Sequence, residues 1–330
     1  MNESETPTGG SVTLHGLRQY ILVYGGTGFV GRHLVRTLSK NGYTVVVPSR
    51  HVQRHRDMML WSGVHLFDQS VPAASDLATD RDMPAAHELM QNAQAVINLV
   101  GILNEKKHNG EGFELAHVDF TRQLLKNMQR AGVSRYLHMS ALGADARRGE
   151  SFYQQTKGRA EDLAHQFGVE HDITVTSFRP SVVFGPDDNF FNQFARLAAI
   201  TPGVFPLACA NARMAPVYVG DVVNAFVNAL KQPGDTAGER IDLCGPEEYS
   251  LKELVDMAAR TAGHRRWVVG LPNVLSRIQA RVFEWVPGKP FTRDNYLSLK
   301  TPNVCVGDTP RQPTRIDDVL PGYLGRKDTG

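Results

Sequence analysis

Cysteine is scarce in this sequence, and long apolar runs are missing. The 330 residues include three cysteines, Cys209, Cys244 and Cys305, which stand far apart and form no CxxC pair. Their odd number and wide spacing argue against a zinc site or a disulfide framework and favour a reducing cytosol. No apolar run reaches the ~18 residues that a membrane-spanning helix needs, so we expect a cytoplasmic protein that does not span a membrane.

A strong charge bias is also missing. The formal net charge is +2 and charged residues make up 21% of the chain, so no nucleic-acid partner is expected. Arg54, His55 and Arg56 form a short basic cluster, but no aromatic residues alternate with it as they do in a strand-binding groove. We interpret the cluster as a solvated surface. Residues 1–17 are polar and lack the apolar core of a secretory signal, which predicts a disordered tail.

Short apolar segments alternate with amphipathic ones from residue 20 onward. The segment 20–24 is wholly apolar and ends in glycines, which is typical of a buried parallel strand. Further strands are predicted at 44–47, 64–67, 95–100, 135–139 and 173–178, and helices at 29–41, 113–132 and 153–167. Strand–helix alternation with short connections implies parallel pairing and right-handed crossovers. The predicted fold class is therefore α/β, a doubly wound parallel sheet of the Rossmann type.

The alternation loosens after residue 186. Short strands at 215–219 and 240–243 mix there with helices such as 251–262. We therefore expect a first domain at 18–186, with sheet elements continuing to about 245, and a smaller mixed α/β substrate-side domain at 187–330. The segment after Pro313 has little pattern and is expected to wrap over the surface.

A glycine-rich segment, Gly-Gly-Thr-Gly-Phe-Val-Gly at 25–31, follows a predicted strand and opens a predicted helix. That context is the one a dinucleotide fingerprint requires. Gly25 makes the sharp turn, Gly28 lets the pyrophosphate approach the backbone, and Gly31 lets helix pack on strand. The alternative is a purely structural turn. The predicted cofactor-binding residues of this loop are Gly25, Thr27, Gly28, Phe29, Val30 and Gly31.

The end of the second strand bears on which dinucleotide binds. NAD-binding chains usually place a carboxylate there to accept from the ribose hydroxyls, whereas this chain has Ser49 and Arg50. An arginine offers a fork of donors suited to a 2′-phosphate. The sequence therefore favours NADP(H), with NAD(H) as the alternative, in which case Arg50 is an ordinary solvated residue.

Tyr153 and Lys157 are four residues apart on one predicted helix and so share a face. An ammonium beside the phenol favours the phenolate and lowers the tyrosine pKa from its usual value of about 10. Such a tyrosine can pass a proton to a carbonyl oxygen as hydride arrives, or remove one from a hydroxyl in the reverse direction. Taken alone the pair is common, and a surface helix pair is the alternative.

Together these motifs resemble an atypical, extended short-chain dehydrogenase/reductase of the NAD-dependent epimerase/dehydratase superfamily. The resemblance is to the branch that contains the nucleotide-binding accessory subunit of respiratory complex I and its bacterial relatives. It covers roughly residues 18 to 300. The matching segments are 25–31, 98–101, 118–121, 140–143, 179–186, 216–221 and 244–246, together with Tyr153 and Lys157.

The resemblance implies further contacts with the dinucleotide. It places Asp68 near the adenine ring and Lys157 on the nicotinamide ribose. It also implies that Leu99, Val100 and Gly101 line the dinucleotide and that Pro180 to Val182 flank the nicotinamide.

One position departs from the pattern of active members, which carry a Ser or Thr hydroxyl one or two residues beyond the fifth strand. Here Ser140 ends the strand, and Ala141 and Leu142 follow without hydroxyls. Either Ser140 serves as the third catalytic residue from a shifted position, or the triad is incomplete and Ser140 makes only local hydrogen bonds.

A metal site is not expected. His51 and His55 have the spacing of a helical metal site, with Asp57 nearby, but arginines crowd the pair and it lacks the glutamate of a zinc protease.

Two classes of function remain open. The first is an enzyme, an NADPH-dependent reductase or dehydrogenase of a small carbonyl or hydroxyl compound, with sugar-nucleotide epimerisation or dehydration as a variant. The second is a non-catalytic NADPH-holding accessory or assembly factor of respiratory complex I or the quinone pathway, located peripherally at the inner membrane through its partner.

Overall fold

The computed structural model describes residues 19–68, 89–286 and 288–324. The predicted tail at 1–17 lies outside the described residues. The strands are β1 (Tyr20–Tyr24), β2 (Val45–Ser49), β3 (Val64–Asp68), β4 (Ala93–Asn98), β5 (Arg135–Met139), β6 (Thr174–Pro180), β7 (Val183–Phe184), β8 (Val204–Leu207), β9 (Arg213–Met214), β10 (Val217–Tyr218), β11 (Arg240–Leu243), β12 (Tyr249–Ser250) and β13 (Trp267–Gly270).

The longer helices are α1 (Phe29–Lys40), α2 (Phe120–Ala131), α3 (Phe152–Glu170), α4 (Phe191–Ile200), α5 (Val219–Lys231), α6 (Leu251–Thr261), α7 (Asn273–Phe283), α8 (Arg293–Ser298) and α9 (Ile316–Leu324). A short turn, Glu111–Phe113, and a π-helical segment, Glu114–Asp119, lead into α2. Two 3₁₀ segments lie at Val52–Leu60 and Pro233–Thr236.

Seven strands form a central sheet in the order β3-β2-β1-β4-β5-β6-β11. Every neighbouring pair in it is parallel. The prediction of a doubly wound parallel sheet is thus confirmed. The strand order reverses between β1 and β4, and it is outside the carboxyl ends of the strands at such a point that open α/β sheets bind their ligands.

Alternate residues of the central strands build two separate cores, because successive side chains of a strand point to opposite faces. On one face, Ile21 and Val23 of β1 pack with Leu34 of α1 and Phe226 of α5. On the other face, Leu22 packs with residues of α2 and α3 such as Leu124 and Ala164. Helices therefore cover both faces of the sheet.

A third core lies in the C-terminal half, where α4, α6, α9, β8 and β13 meet. The segment after Pro313, in which the sequence shows little pattern, contains helix α9, and this helix buries Ile316 and Leu320. The helix escaped the sequence pattern because it is only nine residues long and contains Pro321. Among the described residues, no helix combines the length and the apolar character that crossing a bilayer requires.

Cys244 and Cys305 form a disulfide with a Cα–Cα distance of 6.0 Å and a sequence separation of 61 residues. The expectation that the cysteines form no disulfide is therefore wrong, and it no longer supports a reducing cytosol. The bond lies in a small apolar cluster with Leu142 and Ala215. Closing a loop of this length restricts the unfolded chain and stabilises the fold by roughly 4 kcal/mol in the chain-entropy model.

Candidate functional site

The residues selected from the sequence gather at one edge of the central sheet. The glycine loop follows β1, Ser49 ends β2, Asp68 ends β3, and Ser140 follows β5. Because the strands are parallel, their carboxyl ends face the same edge. The other selected residues lie at the same edge: Arg50 follows β2, Leu99, Val100 and Gly101 follow β4, and Pro180 and Val182 lie at the end of β6.

The glycine loop connects β1 to α1 by a turn that side chains would obstruct. Gly25 has a φ of +77°, and a Cβ there would lie 2.9 Å from the carbonyl carbon of Leu99. A Cβ on Gly31 would lie 2.2 Å from the Gly25 oxygen, so a glycine is required for helix and strand to pack. At Gly28, by contrast, a Cβ meets only the Gly25 oxygen, at 3.3 Å. The space over Gly28 therefore remains open for a ligand.

The start of α1 suits an anion. Its N-cap residue is Gly28, which has no side chain to cap the helix, and the first turn carries no acidic residue. The first N–H groups of a helix have no intrahelical partner and carry partial positive charge. A phosphate group fits this helix start, and the residues present match a dinucleotide pyrophosphate.

The end of β2 presents one buried and one exposed polar residue. The Ser49 hydroxyl is buried and accepts a hydrogen bond from the His51 N–H at 3.2 Å, while Arg50 is exposed. Asp68 of β3 lies beside Ser49 in the parallel register and is exposed. The Arg50 guanidinium and the Asp68 carboxylate therefore lie at the ends of two neighbouring strands, β2 and β3.

The loop after β4 is fixed by the buried amide of Asn98. Its oxygen accepts from the Val100 N–H at 3.0 Å, and its nitrogen donates to the Tyr136 hydroxyl at 2.9 Å. The Leu99 N–H donates to the carbonyl of Tyr24 on β1. These bonds hold the backbone of 99–101 close to the glycine loop.

Lys157 of α3 lies buried beneath that loop. Its ammonium donates to the Met139 carbonyl at 3.0 Å, and a Cβ on Gly101 would lie only 3.0 Å from its Nζ. Burial lowers the pKa of Lys157 to about 8, and the Glu161 carboxylate opposes that shift. The glycine at 101 therefore lets the backbone approach a cation that is costly to bury.

This burial predicts a pH-dependent stability. Between about pH 8 and its unfolded value of 10.5, Lys157 has lost its proton in the folded protein while the unfolded chain still binds it. The free energy of unfolding should therefore rise with pH in that window, by about 2 kcal/mol from pH 8 to pH 10. Denaturant titrations of the native chain and Lys157→Met at both pH values measure it. An equal rise in the two proteins would contradict the assignment.

Tyr153 lies one turn before Lys157, and its ring makes T-shaped contacts with His117 and Phe113, at 5.6 Å and 6.2 Å between centroids. Burial, reinforced by the Asp294 carboxylate, raises the pKa of Tyr153 to about 12. The expectation that the pKa of Tyr153 is lowered is wrong, because loss of hydration and the Asp294 carboxylate both favour the neutral phenol. The phenol is neutral at pH 7 and is a proton donor.

His117, in the π-helical segment, was not selected from the sequence and lies at the centre of this cluster. Its Nε2 accepts from the Ile102 N–H at 3.2 Å, which leaves the proton on Nδ1 to bond the Thr156 hydroxyl at 2.8 Å. Burial and the Lys157 charge hold the pKa of His117 well below its usual value. The neutral ring bridges the loop after β4 to α3. A lone histidine in a helical pattern gave no signal of this role.

Ser140 and His138 carry polar atoms that suit a ligand or a water molecule. Within the described residues, Ser140 Oγ and His138 Nε2 are buried and have no hydrogen-bond partner. Burying an unpaired polar atom costs roughly 1–3 kcal/mol. A bound group that supplies these hydrogen bonds therefore fits the end of β5.

Known proteins resemble this chain both in sequence and in fold. Residues 21–244 match the model of the NAD dependent epimerase/dehydratase family. The chain belongs to this family. A relative of 30% identity over 312 residues is NADH dehydrogenase (ubiquinone) 1 alpha subcomplex subunit 9, mitochondrial, of Arabidopsis thaliana, matched over 92% of this chain and 73% of the relative.

Another relative of this epimerase/dehydratase family member is the ceramide reductase of Caulobacter vibrioides, 28% identical over 259 residues, which are 78% of this chain and 74% of the relative. Among solved structures, UDP-glucuronic acid 4-epimerase from Bacillus cereus in complex with NAD superposes with a TM-score of 0.65 at 19% identity. The superposition covers 86% of this chain and 96% of that chain. At 19% sequence identity, this structural similarity shows only that the two proteins share a fold.

In this family member the position after β5 is apolar, as the sequence indicated. Leu142 is buried against the disulfide of Cys244 and Cys305, and its N–H donates to the Pro180 carbonyl. Its side chain thus belongs to a packed cluster. Ser140 is the hydroxyl that this loop retains next to β5.

The side chain of Asn303 joins the loops after β5 and β6 by hydrogen bonds, a role that was not predicted from the sequence. Its amide oxygen accepts from the Ser181 hydroxyl at 2.6 Å and the Val182 N–H at 3.1 Å, while its nitrogen donates to the Leu142 carbonyl at 3.1 Å. This contact spans 121 residues of sequence, so no local pattern reveals it. It fixes the backbone on either side of Ser181, including Pro180 and Val182.

A cavity of about 550 Å³ lies next to residues that contact Tyr153. Phe113, which contacts the Tyr153 ring, lines it, as does Asp294, whose carboxylate accepts from the N–H groups of Phe152 and Tyr153. The cavity is bounded by the loop after β4 and by the segment from α7 to α8, including Lys106, His108, Arg281 and Trp285. Its position and volume suit a small organic substrate.

Asp57, near the two histidines considered for a metal, instead pairs with Arg32 of α1. The guanidinium lowers the pKa of that carboxyl. Across the described ranges, no three His, Cys, Asp or Glu side chains come together as a metal site would need.

Proposed function

We propose that the chain binds a nicotinamide dinucleotide in the crevice between the ends of β1 and β4. The glycine loop supplies the pyrophosphate site, and the loop 99–101 lines the crevice from the other side. The open space over Gly28, the uncapped start of α1 and the unpartnered Ser140 hydroxyl support this proposal. Residues 18–186 form the cofactor domain, and 187–330 supply most of the substrate side.

We further propose that the chain reduces a carbonyl compound bound in the cavity beside Tyr153. The observation that carries this proposal is the position of Tyr153, one turn before Lys157 on α3 and in contact with Phe113 and Asp294, which line the cavity. A neutral phenol donates a proton to a carbonyl oxygen but does not accept one. A bound reduced nicotinamide supplies the hydride. Lys157 holds the ribose from below and keeps positive charge near the reacting oxygen.

The remaining proposed roles follow from position. Ser140 polarises the carbonyl oxygen from the end of β5. Pro180 and Val182 flank the nicotinamide, Leu99 and Val100 line the dinucleotide, and Asp68 faces the adenine. His117, through Thr156 and Ile102, positions α3 against the cofactor loop.

Native purification tests the cofactor proposal directly. The full chain is purified under mild conditions, heat-denatured, and the released small molecules are identified by mass spectrometry. Release of about one NADP(H) or NAD(H) per chain is expected. A chain that carries none, and that also shows no calorimetric signal with any of the four dinucleotide forms, would contradict the proposal.

The preference for NADP(H) rests on Arg50. Arg50→Ala should weaken NADPH binding by about 1.5–3 kcal/mol, the scale of a charge-assisted hydrogen bond, and leave NADH binding nearly unchanged. Calorimetric titration of both cofactors measures this. Arg54→Ala, which removes the same charge from an exposed position four residues away, is the matched control. Equal losses for NADPH and NADH would rule out contact with a 2′-phosphate.

A second candidate function is a non-catalytic NADPH holder that serves a respiratory partner. Two observations favour it: Leu142 is apolar where active members have a hydroxyl, and a complex I subunit is similar over 92% of this chain. In that case the dinucleotide stabilises the fold by mass action, and the protein is peripheral at the inner membrane through complex I or a quinone-pathway protein. The likeness to sugar-nucleotide epimerases is one of fold alone and favours neither candidate.

A further inference from the structure

Helix α7 exposes an apolar face to solvent. Its outward side chains recur at three- and four-residue spacing and continue past the helix end. Ile278 is 53% exposed, Val282 55% and Trp285 89%. The face comprises Val274, Leu275, Ile278, Val282, Trp285 and Val286, and we call it the α7 face. Surface helices of globular proteins usually place polar residues on this side.

The opposite side of α7 already has its packing partners. Ala280 and Ser276 are buried. The Gln279 amide accepts from the Ala208 N–H and donates to the Pro206 carbonyl, both at 3.1 Å. The helix is therefore held on the body of the protein by its inner side. The α7 face is an additional apolar surface, which within the described residues is not covered by the chain.

The charged residues in and around the α7 face are mainly positive. Residues 264–286 contain four arginines and one glutamate. That glutamate, Glu284, is half-buried and bound to Arg293. Arg277 and Arg281 are exposed on α7, and Arg265 is exposed just before β13. The surroundings of the face are therefore cationic.

A second tryptophan extends the same region. Trp267 of β13 is 73% exposed and lies beside the exposed Val204 in the register of β13 with β8. Only Leu271 and Pro272 separate β13 from α7. Tryptophan prefers the interface between water and lipid, where its apolar ring and its N–H are both accommodated.

We propose that the α7 face docks the protein directly on an anionic lipid bilayer. The helix lies in the plane of the interface with Ile278, Val282 and Trp285 among the acyl chains, and its arginines meet the lipid phosphates. Arg281 and Trp285 also line the cavity beside Tyr153. Docking therefore brings the mouth of that cavity to the membrane surface. The proposal needs no protein partner and does not depend on the nucleotide chemistry.

The charge pattern favours lipid over a second copy of the chain. A twofold contact through the α7 face would bring the arginines of two copies together, and like charges at an interface oppose association. An anionic bilayer offers the opposite charge along the whole face. Each arginine near such a surface strengthens binding by about fivefold.

Vesicle flotation of the full chain tests the proposal. Vesicles of phosphatidylcholine with 30% phosphatidylglycerol should bind the chain at least tenfold more tightly than pure phosphatidylcholine vesicles. Ile278→Asp/Val282→Asp should reduce binding to the anionic vesicles at least tenfold. Leu60→Asp/Val169→Asp, which changes two exposed apolar residues elsewhere, is the matched control and should bind normally. Equal thermal unfolding midpoints show that all variants are folded.

The arginines and tryptophans give independent measurements. Arg277→Gln/Arg281→Gln should weaken binding by more than tenfold, and Arg54→Gln/Arg56→Gln, with the same loss of charge, should not. Anionic vesicles should shift the tryptophan emission to the blue in the native chain but not in Trp267→Phe/Trp285→Phe, which keeps the third tryptophan, Trp61.

Three results would overturn the proposal. The first is no flotation with anionic vesicles, and the second is binding that Ile278→Asp/Val282→Asp leaves unchanged. The third is a native dimer that this double substitution converts to a monomer, since that would assign the face to a second copy.

Discussion

Gly28→Val is expected to fold normally and to lose dinucleotide binding. The backbone at Gly28 is extended, with φ −77°, so a branched residue is tolerated there. A Cβ at this position meets only the Gly25 oxygen, at 3.3 Å, a tight contact that a backbone shift of a few tenths of an ångström relieves. The two branches of valine would then point into the open space over the start of α1. We expect affinity for NADPH and NADH to fall by at least a hundredfold, about 2.7 kcal/mol.

Calorimetric titration and thermal unfolding of the same samples measure this result. Gly234→Val is the matched control, because a Cβ there meets nothing within 4 Å and its φ is not in the left-handed range. Gly31→Ala supplies the contrast, since its Cβ would lie 2.2 Å from the Gly25 oxygen. Gly31→Ala should therefore be less stable than the native chain, whatever its affinity for nucleotide. Unchanged nucleotide affinity in a folded Gly28→Val variant would show that the pyrophosphate does not bind at this loop.

Tyr153→Phe is expected to abolish turnover and to leave the cofactor in place. The phenol oxygen is needed for proton transfer, and its loss typically costs 10²–10⁴ in rate. The ring remains, and so do its contacts with His117 and Phe113. NADPH affinity should therefore change by less than about threefold. Stopped-flow oxidation of bound NADPH with a panel of carbonyl compounds measures the rate, and calorimetry measures the affinity.

The same variant separates the two candidate functions in the cell. Complementation of a deletion strain with Tyr153→Phe should fail if the protein is a reductase and succeed if it is a nucleotide holder. Gly28→Val should fail in both cases. Full rescue by Tyr153→Phe would therefore exclude the catalytic function, whereas failure with normal folding and normal cofactor content would exclude the holder.

The central fold could be predicted because it depends on local patterns. Apolar runs such as 20–24 and the stop at Gly132 mark strands and helix ends within a few residues of their positions. Parallel pairing then places the ends of β1 to β6 at one edge. Some smaller helices were not predicted, because the pattern of apolar residues in their sequence does not match the side that they bury. Helix α7 has apolar residues on both sides, and α9 contains a proline.

The family likewise followed from motifs, whereas the electrostatics of the site did not. Four-residue spacing places Tyr153 one turn before Lys157, but only the packed structure shows that burial and Asp294 raise the pKa of Tyr153. His117 and Asn303 act through contacts with distant segments, 102 and 142 among them. The pairing of Cys244 with Cys305 is also set by the tertiary fold. Such contacts leave no periodic signal in one sequence.

The bond between Cys244 and Cys305 has a topological consequence for the C-terminal half. It turns the 61-residue separation into a covalent ring that carries β12, α6, β13, α7 and α8. A single cleavage of the main chain inside this ring, for example at the exposed Pro272 before α7, opens the ring without dividing the molecule. The two pieces stay covalently linked until a thiol reductant cleaves the disulfide. The α7 face is thus joined to Cys244, which follows β11 of the central sheet, both through the main chain and through the disulfide.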